Sequence, residues 1–151
     1  MIKKLVLVML MVFSAQAAYA TDLVAKNAWV RLVPSVAQNT AAYMLVRNVG
    51  ADDVKLIGVT CDVAASADLH GMRMDDNRMV MFPLQEVNVP AGGEVAFAPG
   101  GMHMMLMGLK HSLKEGDVIE IVLHVSNGES LAVSAPVRDM RMGQHRQGGM
   151  H

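Results

Sequence analysis

The sequence predicts an all-β fold, and three features of the chain lead to this prediction. Short segments in which apolar and polar residues alternate recur between residues 22 and 137, as expected of half-buried strands. Turns rich in Gly, Pro, Asn and Asp separate these segments at the short spacing typical of β-sandwiches and barrels. No stretch combines a sustained helical period with helix caps. We therefore expect a sandwich or barrel of short strands.

Each predicted strand is bounded by a turn signal. The clearest one covers residues 117–125, where Ile119, Ile121, Leu123 and Val125 point to one face of the strand. The intervening residues, which include His124, point to the solvent side. In chain order, the predicted strands cover residues 22–33, 41–49, 53–60, 64–70, 78–82, 84–89, 94–98, 102–110, 117–125 and 130–137.

Three parts of this pattern carry more detailed expectations. The first strand changes phase near Asn27, which predicts a β-bulge there, and Trp29 is expected to be its large core anchor. In the third strand, simple alternation places Leu56 and Gly58 on one face and Val59 on the other. The hairpin between the fourth and fifth strands is expected to turn at Asp75-Asp76-Asn77.

The first 20 residues have the anatomy of a secretory signal peptide. Lys3 and Lys4 form a basic start, an apolar run covers residues 5–13, and Ala18-Tyr19-Ala20 provides a small-x-small cleavage site. The run is too short for a membrane-spanning helix, which needs about 20 apolar residues. We expect a signal peptide at 1–20 and export to the periplasm, where the mature protein is a monomer with no membrane span.

Charge and cysteine content exclude several classes of function. Removing Lys3 and Lys4 from the 13 basic residues leaves 11 against 14 acidic residues, a net charge of −3 with His neutral. This balance does not favour a nucleic-acid partner. Cys61 is the only cysteine, so an internal disulfide and a CxxC exchanger are impossible; a small buried apolar role is favoured over a reactive thiol. No nucleophile–base pair or carboxylate pair lies near the Met-rich turns, so no enzyme is expected.

Methionine and histidine are concentrated at the ends of predicted strands. A His-x-Met or Met-x-Met pattern occurs at His70/Met72, Met79/Met81 and His103/Met105. In a strand, residues two apart share one face at about 7 Å between Cα atoms, so both side chains can reach one ion. Imidazole with uncharged thioether suits Cu(I), whereas zinc prefers Cys, His and carboxylate. Composition alone leaves an alternative open, since Met also fills cores that are poor in aromatic residues.

The order of four of these residues resembles a known family. His70, ten residues, Met81, twenty-one residues, His103, one residue and Met105 is similar to the motif of the periplasmic Cu(I) chaperones, the PCuAC-like family, associated with the Cu(A) centre of cytochrome c oxidase. The flanking segments 69–72, 79–81, 89–93 and 99–109 match as well. The similarity extends from about Ala28 to Val137.

The resemblance implies a cupredoxin-like Greek-key β-sandwich or barrel with one exposed Cu(I) site. It implies His70, Met81, His103 and Met105 as the ligands. It also implies that the copper is delivered to the oxidase subunit that carries Cu(A), or to another copper assembly factor. One departure is Phe82-Pro83, because relatives commonly have Arg-Pro there, and this changes the expected charge of the docking surface.

Other methionines and histidines are weaker candidates. Met79 is an alternative to Met81 because both face the same side, Met104 is expected in the core, and Met72 and Met107 stay outside the expected ligand set. Residues 21–138 are expected to form the copper-binding domain, and residues 139–151 a flexible Met/His-rich tail. The tail residues with metal-binding side chains, which form a candidate auxiliary site for Cu(II), are Met140, Met142, His145, Met150 and His151.

Three other functions remain as alternatives to delivery. A periplasmic copper sequestration or resistance protein would share the site but retain the ion. A β-sandwich binding module would need no metal at all. An electron-transfer cupredoxin would need a Cys thiolate beside two His, and Cys61 lies far in sequence from His103.

Overall fold

The computed structural model describes residues 21–143, so the predicted signal peptide and the tail from residue 144 onward lie outside the described residues. A short 3-10 helix, Met140–Gly143, follows the last strand. Within residues 21–143, no helix is long and apolar enough to cross a membrane. The strands are, in chain order, β1 (Leu23–Arg31), β2 (Asn39–Asn48), β3 (Val54–Cys61), β4 (Ala64–Asp75), β5 (Arg78–Pro83), β6 (Val87–Val89), β7 (Glu94–Phe97), β8 (His103–Leu109), β9 (Val118–Val125) and β10 (Ser130–Arg138).

The strands form two halves of a sandwich. In the first half, β5, β4, β8, β2 and β1 lie side by side in that order, and β7 pairs with the second part of β2. In the second half, β10 is followed by β9, β3 and β6. A short parallel pairing of β1 with β10 joins the halves, with Val30 opposite Val137. Neighbours such as β4 and β8, or β3 and β9, are distant in sequence, so long connections cross between the strands of the sandwich.

The inner faces of both halves share one hydrophobic core. On β9, Ile119, Ile121, Leu123 and Val125 are all buried, as their alternation predicts. The core contains side chains from both halves, and this arrangement confirms the predicted all-β sandwich. The largest fully buried side chains include Phe97, Met44, Leu56, Leu69, Met104 and Leu106. Part of the methionine excess therefore does fill the core.

Bulges interrupt the alternation of two strands, β1 and β3. The register of β1 against β2 shifts between Lys26 and Trp29, and Asn27 has a φ of 53°, so the predicted bulge is confirmed. Beyond the bulge Val30 points into the core, while Trp29 is only half-buried and packs on Tyr43 with ring centroids 4.7 Å apart. Trp29 is thus not the core anchor that the sequence predicted.

A second bulge lies in β3. Its register against β9 shifts between Leu56 and Gly58. The extra residue reverses the alternation beyond this point, so Leu56 and Val59 are both buried although an odd number of positions separates them. The prediction that Val59 lies on the face opposite to Leu56 was therefore wrong.

Candidate metal centre

The hairpin of β4 and β5 positions one side of the candidate site. Asp76 and Asn77 at its tip have φ values of 45° and 61°, a conformation that Asn and Asp tolerate in tight hairpin turns. The turn sets the register of the pair, so Met72 lies directly opposite Met81 and His70 opposite Pro83. Since opposite residues share a face, His70, Met72 and Met81 project from the same side of the hairpin.

Strand β8 brings the second half of the site alongside β4. His103 is the direct partner of His70, and their ring centroids are 5.7 Å apart at an angle of 53°. Met105 follows two residues later on the same face of β8, opposite Asp68. The sequence places the two histidines 33 positions apart, and the pairing of β4 with β8 makes them neighbours.

These side chains border an open cleft of about 380 Å³ on the outer face of the sheet. Met81, His103 and Met105 line the cleft, together with Met72. The rest of its wall is formed by residues 31–34 at and after the end of β1, by Gly100, and by four residues of β2: Asn39, Thr40, Ala41 and Tyr43. Three of the four sequence-predicted ligands therefore line one cavity, and the fourth, His70, stands beside it in contact range of His103.

The two histidines differ in their hydrogen bonds. His103 is 7% exposed, and its Nδ1 lies 3.0 Å from the carbonyl oxygen of Gly101. A carbonyl oxygen only accepts, so Nδ1 carries a proton and donates it, and the neutral form of this ring presents the lone pair of Nε2 to a ligand. His70 Nδ1 is buried and has no hydrogen-bond partner within residues 21–143. A buried polar atom of this kind normally has a partner, and a metal ion would serve as one.

The remaining methionines divide into core and surface residues. Met104 is fully buried, as predicted for the opposite face of β8. Met107 is half-buried further along β8. Met79 pairs with Met74 and does not line the cleft, because it lies two residues closer to the hairpin tip than Met81. Met72 also lines the cleft, although the sequence did not place it in the ligand set. Its position follows from its direct pairing with Met81 across the hairpin, which depends on the strand register.

The opposite face of the hairpin carries a positive charge near the departure at Phe82. The ring of Phe82 packs over Gly71, where a Cβ would come within 2.8 Å of it. The guanidinium of Arg73 lies 5.4 Å from the centre of that ring, in cation–π range. Arg73 thus supplies a cation beside Phe82, the position at which the sequence departs from the expected Arg-Pro.

Other kinds of metal site find little support among residues 21–143. No group of three or more His, Cys, Asp or Glu side chains comes together there to hold an ion, so a site at the histidine pair would need thioether ligands. Cys61 does not line the cleft. It is half-buried, and burial raises the pKa of its thiol, which disfavours the thiolate that an electron-transfer copper site requires.

Comparison with known proteins identifies the family. The LpqE-like family, described as a lipoprotein family, matches residues 23–137. This chain belongs to the LpqE-like family. A lipoprotein of Leifsonia xyli subsp. xyli (strain CTCB07), Lxx21020, is 36% identical to this LpqE-like chain over 114 residues, which cover 75% of this chain and 68% of that protein.

Solved structures similar to the LpqE-like chain include PCuAC domains. The solution structure of CuI-DR1885 from Deinococcus radiodurans is 35% identical, covers 83% of each chain and superimposes with a TM-score of 0.58. The copper-bound PCuAC domain from PmoF2 is 23% identical and covers 80% of this chain and 97% of its own, with a TM-score of 0.66; at that identity it supports the fold alone. The predicted resemblance to the PCuAC-like family is therefore confirmed.

Proposed function

We propose that this protein is a periplasmic copper chaperone that binds one Cu(I) in the cleft and delivers it for assembly of the Cu(A) centre of cytochrome c oxidase. The proposed ligands are His70, Met81, His103 and Met105. The observation that carries the proposal is the direct pairing of His70 with His103 beside two thioethers on one open face. In this role the ion is cargo, and the protein is not an enzyme.

The donor set favours Cu(I) over other ions. Two imidazole nitrogens and two thioether sulfurs are neutral, so they suit a soft monovalent ion and offer no carboxylate cage for Mg²⁺ or Ca²⁺. Thioethers also need no deprotonation and resist oxidation longer than thiolates outside the cytoplasm. The buried, unpartnered Nδ1 of His70 supports a metal partner at this position.

The shape of the site supports delivery rather than permanent storage. The cleft opens to solvent, and Met81 is 47% exposed. An acceptor can therefore approach the ion and replace the thioethers one at a time, without unfolding of the donor. The copper-bound form of the relative DR1885 adds support from sequence similarity. Export through a signal peptide at residues 1–20, with 21–138 as a monomeric copper domain, belongs to the same proposal.

A titration with Cu(I) tests the binding step. The chain from Thr21 onward, in competition with a chromogenic Cu(I) chelator, is expected to take one tight equivalent. The double variant His103→Ala with Met105→Ala is expected to lose it, because two of the four ligands are removed from one strand. Failure of the unmodified chain to compete with the chelator would mean that the Met-rich segments belong to a metal-free β-sandwich module.

A transfer measurement separates delivery from sequestration. The copper-loaded chain is mixed with the soluble Cu(A)-bearing domain of the oxidase subunit, and the copper content of each protein is followed after separation. Movement of Cu(I) to the acceptor within minutes supports delivery. Retention by the donor, although the acceptor has the higher affinity, would support the alternative of a copper sequestration or resistance protein.

We also propose that the Met/His-rich tail, residues 139–151, forms an auxiliary copper site that can bind Cu(II). The segment at its start, Asp139–Arg141, borders a cavity that shares the loop Arg31–Pro34 with the cleft. The described start of the tail therefore lies next to the proposed Cu(I) site, and His145 and His151 follow it in the sequence. Their imidazoles suit Cu(II) better than thioethers do.

Truncation after Arg138 tests the tail. We expect the truncated chain to keep the one tight Cu(I) equivalent, to lose weaker copper binding, and to load more slowly than the full tail-bearing chain. Stoichiometry is measured by titration and loading by stopped-flow mixing. An unchanged stoichiometry together with an unchanged loading rate would remove the auxiliary site from the proposal.

A further inference from the structure

A ladder of methionines runs along one face of the β4–β5 hairpin. Met72 pairs directly with Met81, and Met74 pairs directly with Met79. The two pairs lie two positions apart on each strand, so they share a face and lie about 7 Å apart along the hairpin. The inner pair lines the cleft, and the outer pair continues the same row towards the tip.

The outer pair contributes little to packing. Met74 is 67% exposed and Met79 is 52% exposed, whereas the core methionines Met44 and Met104 are 2% and 0% exposed. Within the described residues, the hairpin tip thus holds two large apolar side chains in water at directly opposed positions. Apolar burial does not account for them there.

The geometry of a cross-strand pair suits a shared ion. Directly opposite residues have Cβ atoms about 4.5–5.5 Å apart. Methionine is unbranched with three rotatable bonds, so the two sulfurs of Met74 and Met79 can turn towards one point above the sheet. Two thioethers offer a low-coordinate, soft site that discriminates against hard cations.

We propose that Met74 and Met79 form a second, weaker Cu(I) site at the hairpin tip, from which the ion is passed to Met72 and Met81 and into the cleft. The ion moves by exchange of thioether ligands and keeps its oxidation state. Binding at the tip is independent of the site proposed above, whereas the passage into the cleft rests on that proposed function.

Methyl NMR with Cu(I) as the probe tests both parts. The chain from Thr21 onward is labelled with ¹³C at the methionine methyl groups and titrated anaerobically with Cu(I). We expect the first equivalent to shift the methyl signals of Met81 and Met105, and further Cu(I) to shift those of Met74 and Met79. Each methyl gives its own signal, so binding by tail methionines is seen separately.

The double variant Met74→Leu with Met79→Leu keeps apolar side chains of similar size but removes both sulfurs. We expect it to lose the second step, to keep the first, and to load the cleft several-fold more slowly in stopped-flow mixing. Met107→Leu is the matched control, because it removes a thioether from the same sheet but not from the hairpin; both steps and the loading rate should be preserved.

The outcomes separate this inference from the main proposal. Shifts at Met74 and Met79 without a tight first step would support the tip site and contradict the cleft site. A normal first step with no change in the methyl chemical shifts of Met74 and Met79 would overturn the tip site. The methyl shifts of Met74 and Met79 could also stay unchanged while the double variant transfers copper more slowly to the acceptor. The outer pair would then be a contact surface for the acceptor protein, and the tip site would again be overturned.

Discussion

Replacement of His70 by Leu is expected to abolish tight Cu(I) binding while leaving the metal-free fold as stable as before. The affinity should fall by more than about 100-fold, since loss of a partner outside the coordination sphere alone typically costs about 10- to 100-fold. The stability expectation follows from His70 Nδ1, which is buried without a hydrogen-bond partner in the described chain. Burying such an atom costs about 1–3 kcal/mol, and Leu removes that cost.

The two effects are measured separately. Cu(I) affinity is obtained by chelator competition, and the free energy of unfolding by urea titration of the metal-free protein. Cu(I) in excess should raise the melting temperature of the unmodified chain but not of the variant, because a ligand that binds only the folded state stabilises it.

His124→Leu is the matched control for His70. His124 lies on β9 in the other half of the sandwich, where its Nε2 is 2.9 Å from Thr60 Oγ1. Its replacement should leave the Cu(I) affinity unchanged. A His70→Leu protein that binds copper normally but unfolds more easily would assign His70 a structural role and remove it from the ligand set.

The features that the sequence predicted are those governed by local chemistry. Alternation predicted the buried face of β9 because adjacent strand residues point to opposite sides. Asp76 and Asn77 predicted the hairpin turn because these residue types tolerate positive φ. The His-x-Met pattern at His103 and Met105 likewise placed a nitrogen and a sulfur on one face without knowledge of any partner strand.

The features that it missed depend on register between distant strands. Nothing local to His70 states that His103 will be its direct partner, or that Met72 will share the cleft with Met81. Trp29 failed as a core anchor although the bulge was predicted, because beyond the bulge Val30 enters the core and Trp29, on the other side of β1, packs on Tyr43 of the neighbouring β2. The family resemblance supplied the long-range part of the site.

Asn48 illustrates the same limit, because its local sequence does not predict which distant groups its side chain contacts. Its side chain is fully buried, and its amide nitrogen donates to the carbonyl oxygens of Asp52 at 2.7 Å and Val89 at 3.0 Å. Its Oδ1 accepts from the backbone N–H of Gly50 at 2.9 Å. One side chain thus holds the end of β2 to the turn before β3 and to β6.

Asn48→Ala is expected to lower the free energy of unfolding by about 3 kcal/mol, since it removes three hydrogen bonds worth about 1 kcal/mol each. The melting temperature should fall by roughly 10 °C. Asn48→Asp keeps the size of the side chain but replaces the donating amide with an acceptor that faces two carbonyl oxygens, so at pH 7 its loss should be at least as large. Urea titration and thermal unfolding measure both variants.

Asn127→Ala provides the comparison at an exposed turn, where Oδ1 accepts a single hydrogen bond from Glu129 N–H at 2.9 Å. Its expected cost is below about 1 kcal/mol, because water replaces the lost partner. Equal losses in the free energy of unfolding for the two alanine variants would mean that the hydrogen bonds of Asn48 stabilise the fold no more than that of a surface turn residue does. In that case hydrophobic packing, and not this buried amide, would hold β2 to β6. The cleft lies on the outer face of the sheet, so folded Asn48→Ala should still bind Cu(I) normally.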